Sequence, residues 1–129
     1  MGADATLSIA GFVGGEQDIA LQTVTPATIS SLEIDAPGQG IILSNASGVF
    51  DVANVSISPA RCSITNGSDA LDEASLIQGM AARLASFGAT RGFNVAEAGT
   101  VTIKLVCDKW GSEPVSISDS NLNATFIPK

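Results

Sequence analysis

The chain has 129 residues and a mass of 13.0 kDa, enough to bury the core of one domain without help from a metal. Hydrophobic residues make up 45% and charged residues only 15%, and the sequence has neither histidine nor tyrosine. Without histidine, the commonest general base is gone, along with Ser-His-Asp and Cys-His sites and most zinc and copper sites. Thirteen acidic residues against six scattered basic ones give a net charge of −7. That balance excludes the basic footprint of nucleic-acid binding and attraction to an anionic membrane surface.

Taken in order, the chain alternates with period two in short runs broken by Gly, Pro, Asn and Ser. Residues 5–13 alternate at Leu7 and Ile9. Residues 19–25 and 28–35 follow on either side of Pro26, with Leu32 and Ile34 on one face. Pro37-Gly38-Gln39-Gly40 is a turn, after which 41–44 and 49–53 flank a break at Asn45-Ala46-Ser47-Gly48. A run over 55–58 leads into a strand over 60–65 that closes on Asn66-Gly67, a hairpin-type turn.

Residues 70–87 admit two readings. Leu71, Ala74, Ile77, Met80, Ala81, Leu84 and Phe87 lie at helical spacing, with Ser68 or Asp69 as a cap. The strand reading splits the segment into 74–80 and 82–95, with Ala85, Phe87, Ala89, Phe93 and Val95 on one face. It is preferred because the remainder is so consistently β. The clearest strands come last, at 99–108, 114–118 and 121–127. About ten short strands with regular turn signals predict an all-β, antiparallel two-sheet sandwich over 1–129, with one short helix within 70–87 as the alternative for that segment. Residues 1–4 read as the start of a mature domain or an added start, with no signal-peptide pattern.

Cys62 shares a face with Ala60 and Ile64, and Cys107 with Val101, Ile103 and Leu105, so both thiols point inward. A buried disulfide joining two strands fits this phase; two free buried cysteines are the alternative. A disulfide places the protein in an oxidising, extracellular or cell-surface setting. Sequons occur at Asn45, Asn54, Asn66 and Asn123, but a chain this rich in Ser and Thr also produces them without a glycan.

The succession of a Gly-Gln-Gly turn, "ASGVF", "ARCSI", "TRGFNV", "GTVTIKLVCDKW" and a closing "VSISDSNLNATFIP" resembles small secreted bacterial β-sandwich proteins, themselves similar to C1q/TNF-like jelly-roll domains. The resemblance spans residues 28–128. It implies a jelly roll without enzymatic activity, often a symmetric trimer, on extracellular structures. The chain lacks the tyrosines and the aromatic-Gly-aromatic ending of the animal members, and no functional residue is carried over.

Candidate sites are few. Trp110 at a strand end is either a sugar platform or partner hot spot, or a rim residue covering the core and the disulfide. Asp69, Asp72 and Glu73 around one loop could offer oxygens to calcium, as could Asp108 or Asp119 with Asn121, but they also fit solvated turn acids. Arg91 and Lys109 read as single surface ion-pair partners. No catalytic residue, metal site or cofactor is expected. With so few charges to cover the outside, an apolar face should be hidden by another subunit. The outward phases nominate Val24, Ile42, Val106 and Ile127, unless loops or the 70–87 segment cover them. The leading expectation is a structural or adhesive extracellular module that self-associates, with a trimer favoured by the resemblance. The alternatives are a carbohydrate- or ligand-binding module using Trp110 and the nearby loop acids Asp69, Asp72 and Glu73, with a glycan or surface protein as partner, or a viral or phage fibre-tip or capsid domain.

Overall fold

The computed structural model describes residues 10–52, 58–72, 77–81, 84–111 and 114–129. They form eight strands and no helix: β1 (Ala10–Ala20), β2 (Ala27–Ala36), β3 (Gly40–Val52), β4 (Ser58–Thr65), β5 (Ile77–Ala81), β6 (Leu84–Val95), β7 (Gly99–Lys109) and β8 (Val115–Pro128). One sheet has the order β1-β8-β3-β6, the other β2-β7-β4-β5, with every pairing antiparallel. Two Greek keys wound in this way make a jelly roll.

The alternation read from sequence builds the core. Leu32 and Ile34 face inward from β2, Ala60, Cys62 and Ile64 from β4, Ile103, Leu105 and Cys107 from β7, and Leu122, Ala124 and Phe126 from β8. Phe50 of β3 stacks on Phe87 of β6 with ring centroids 4.8 Å apart. Among polar groups, Ser30 and Ser120 meet between the two sheets at 3.5 Å.

Eight strands replace the expected ten or so, in part because breaks are bridged, as at Gly14-Gly15 inside β1. Asn45-Ala46-Ser47-Gly48 runs on as strand inside β3, and Asp119-Ser120 inside β8. Gly48 is required by packing: a Cβ there would lie 2.6 Å from the Phe87 ring and 2.8 Å from the Asp119 carbonyl oxygen. In 70–87 the strand reading holds, as β5 and the start of β6. Asn66-Gly67 does not close a two-residue hairpin. It opens a longer connection, since β5 first meets β4 at Ile77 opposite Cys62. The runs at Leu7 and Ile9 and at 55–57 lie outside the described residues.

Candidate functional site

The connection after β4 folds back over the outer face of the β2-β7-β4 sheet. The Thr65 hydroxyl donates to the Ser68 carbonyl at 2.6 Å, and the Asp72 backbone N–H donates to the Ser63 hydroxyl at 3.1 Å. Asp69 accepts from Lys104 Nζ at 2.6 Å and from the Thr28 hydroxyl at 2.9 Å. The hydrogen bonds from Lys104 and Thr28, and the lysine's charge, hold the Asp69 carboxyl below the ordinary aspartate value of 3.8. Val106 lies opposite Thr28 on one side and Ser63 on the other, so this clasp passes over it.

Val106 is accordingly buried rather than outward, which corrects the sequence expectation. Ile42 is buried too, because it takes the inward phase of β3 opposite Phe93 and Phe126. Of the four nominated interface residues, Val24 and Ile127 are exposed.

Cys62 and Cys107 face each other across β4 and β7 and are bonded, with Cα atoms 4.1 Å apart and no free cysteine in the chain. The close approach suits a narrow antiparallel pair. One residue before and one after, on the opposite phase, Arg61 meets Asp108: Nε donates to one carboxylate oxygen at 2.9 Å and Nη2 to the other at 2.6 Å. Both side chains are buried. The Arg61 guanidinium sits 4.5 Å from the Trp110 ring centroid, in cation–π contact. Trp110 is 53% exposed and rests on this ion pair, on the face away from the disulfide.

Three of the candidate calcium acids among the described residues are held in ion pairs. Asp69 is taken by Lys104, Asp72 by Arg91 at 2.5 Å and Asp108 by Arg61. Asp119 lies in β8, exposed, and Glu73 is outside the described residues. Arg91 is an ion-pair partner as expected, but half-buried: it also donates to the Ile64 carbonyl at 2.6 Å and lies over the Phe93 ring. Lys109 is buried rather than at the surface, because its backbone joins the 22–24 segment through Gln22 and Val24.

The feature that residue-by-residue reading missed is the outer face of the β1-β8-β3-β6 sheet. Register stacks its outward residues in rows: Ile127, Ile41 and Asn94; then Ala10, Thr125, Leu43 and Gly92; then Phe12, Asn123, Asn45 and Thr90; then Gly14, Asn121, Ser47 and Gly88. None of these residues is charged; the next row on the same face, at Val49, holds the exposed Asp119 and marks the acidic edge of the patch. Phe12, Ile41, Leu43 and Ile127 are all exposed large apolar side chains. Between them Asn45 forms a ladder, donating to Asn123 at 3.2 Å and accepting from the Thr90 hydroxyl at 2.6 Å. The face ends in a groove of about 500 Å³ beside Ile41, Asn94 and Ile127. The signal was present in the sequence as charge-free alternate positions in parts of four strands, but only register brings them together.

The four sequons are thereby sorted. Asn45 and Asn123 are tied to each other in mid-strand, Asn66 is exposed after β4, and Asn54 lies outside the described residues.

No protein-family model and no curated protein matches the chain. Solved structures do. The VP2 subviral particle of infectious bursal disease virus superposes with a TM-score of 0.51 at 13% identity, over 91% of this chain and 32% of that one. Eiger TNF from S. frugiperda gives 0.54 at 8% identity, over 95% of both chains. Dimeric latent PorU from Porphyromonas gingivalis gives 0.55 at 8% identity, over 95% of this chain and 13% of that one. The chain thus spans about a third of the viral protein, about an eighth of PorU and nearly all of the TNF. At these identities the likeness establishes the fold.

Proposed function

We propose that the chain is a non-enzymatic, extracellular structural or adhesive jelly-roll module that assembles with copies of itself through the outer face of the β1-β8-β3-β6 sheet. The observation that carries this reading is the charge-free grid around Phe12, Leu43, Ile41 and Ile127 in a protein whose net charge is −7. Two copies of a strongly acidic chain repel one another wherever their acids meet. Here they can meet without that cost, and interface cores are depleted in charge in the same way. The Asn45–Asn123–Thr90 ladder gives the face a polar centre whose remaining amide donors need partners once water is expelled, and so favours one docking register.

A threefold arrangement is what the C1q/TNF-like resemblance implies, and the likeness to a TNF over 95% of both chains supports the jelly-roll fold on which it rests. The buried disulfide supports an oxidising compartment. The likeness to part of a viral VP2 favours a second reading, a capsid domain, which also assembles with itself. Light scattering at micromolar concentration separates these. A mass three times 13.0 kDa is expected; 13.0 kDa rejects self-association, twice that rejects the trimer, and shell-sized particles favour the capsid reading.

A further inference from the structure

We propose that Asn66 is a self-modifying site, at which the backbone of the next residue converts the side-chain amide into a carboxylate without an enzyme. Four observations meet there. Of the chain's asparagines only Asn66 precedes a glycine. Asn66 is exposed and lies beyond the end of β4, outside the sheet ladder that fixes Asn45, Asn94, Asn121 and Asn123. Gly67 has φ +89, a conformation open to glycine, and the nearest atom to a Cβ built on it is 3.8 Å away. Among the described residues neither the Asn66 amide nor the Gly67 N–H has a hydrogen-bond partner that would hold it from reacting.

The chemistry balances with water as the only co-reactant. The Gly67 nitrogen gives up its proton to solvent base and attacks Asn66 Cγ, forming a new N–Cγ bond. The Cγ–Nδ2 bond breaks, and the nitrogen leaves as ammonia after taking a proton. The five-membered succinimide then adds water. Opening at Cγ leaves aspartate; opening at the main-chain carbonyl leaves isoaspartate, with one more carbon in the backbone.

Position gives the reaction a consequence. The turn is short and tied, with Thr65 bonded to Ser68 at 2.6 Å, and it leads directly into Asp69, which clasps Lys104 and Thr28. Either product adds a negative charge three residues before Asp69, and isoaspartate also lengthens the tied turn. Conversion therefore loosens the clasp over Val106.

The test is incubation of the intact, oxidised protein in ¹⁸O water at mildly alkaline pH, followed by peptide mapping and isoaspartate detection. Exchange of NH₂ for OH, with ¹⁸O incorporated, is expected at Asn66 well ahead of the exposed Asn94, which precedes Val95. Asn66→Gln should abolish the product at that position, because the five-membered ring can no longer form. Gly67→Ala should slow it by roughly tenfold or more, since a Cβ at this positive φ is strained and crowds the attack. In the wild type, conversion at Asn66 no faster than at Asn94 overturns the proposal. So does exchange at Asn66 without an isoaspartate fraction, which would indicate direct hydrolysis rather than attack by Gly67.

Discussion

Arg61 and Asp108 face one another across β4 and β7, next to Cys62 and Cys107, so that an ion pair and a disulfide lie on opposite sides of the same two strands. The pair is bidentate and desolvated, and Trp110 lies over it. Asp108→Ala leaves the Arg61 cation buried without its counter-charge and should cost about 3–5 kcal/mol. Replacing both partners, Arg61→Met with Asp108→Leu, should cost far less because no buried charge is stranded. Urea unfolding measures both. A loss below about 1 kcal/mol for Asp108→Ala would show that the pair behaves as a solvated one.

The disulfide closes a separation of 45 residues across adjacent strands. On the loop-entropy account, Cys62→Ala combined with Cys107→Ala should lower stability by about 4 kcal/mol. Thiol titration of the unfolded, unreduced wild type should find no free thiol. Two free thiols would overturn the pairing and remove the support for an oxidising compartment.

The Asp69 clasp predicts an acid limit. Its carboxyl is held below the ordinary aspartate value of 3.8, first by the Lys104 hydrogen bond and then by that of Thr28. The folded state therefore binds this proton less readily than the unfolded chain. The stabilisation is complete above the ordinary carboxylate range, and is lost as pH falls through that range and below the depressed folded value. Lys104→Met should bring the Asp69 titration, followed by NMR at its carboxyl carbon, back towards the ordinary value. An unchanged titration in the variant would show that the clasp is open in solution.

Much of the fold was legible because inward alternation survives in the sequence of β2, β4, β7 and β8. Leu122, Ala124 and Phe126 keep their phase to the end of the chain. What escaped were places where local chemistry misleads. Asn45 and Gly48 carry turn propensity, yet Asn45 is held in strand by Asn123 and Thr90, and Gly48 makes room for Phe87. Register shifts between Thr28 and Ser30, and between Val49 and Phe50, break the period of two. The position of the clasp could not be read either. Asp69 lies 35 residues from Lys104 and 41 from Thr28, and no local pattern encodes such a contact. The uncharged face was legible as a shortage of charge but not as a place, since its rows draw on four strands.

Val24 offers a test of local strain. It is a β-branched residue at φ 44, and its side chain is 64% exposed. Such a conformation is costly for valine and free for glycine. The Val24 N–H bonds the Lys109 carbonyl at 3.0 Å, a contact that glycine retains. Val24→Gly should raise stability by about 1 kcal/mol, read as a higher denaturation midpoint at constant slope. A lower midpoint would show that valine reaches a relaxed conformation there.

Two aliphatic residues on outward phases should respond oppositely to the same substitution. Val106 lies on the outer side of β7 but is sealed beneath the clasp, with Thr28 and Ser63 beside it in register. Leu43 lies on the outer side of β3, 39% exposed, between Thr125 and Gly92 on the uncharged face. Val106→Asp buries an unpaired carboxylate and should unfold the sandwich or weaken it by several kcal/mol. Leu43→Asp exposes its carboxylate to water in the free subunit, so the fold should survive with nearly unchanged circular dichroism. In the assembly that carboxylate would meet the apolar centre of the contact and the acid of the neighbouring copy, so the subunits should separate. Light scattering and thermal unfolding on the same samples resolve the pair. If Leu43→Asp leaves the associated mass of the wild type unchanged, the β1-β8-β3-β6 face is not where the copies meet.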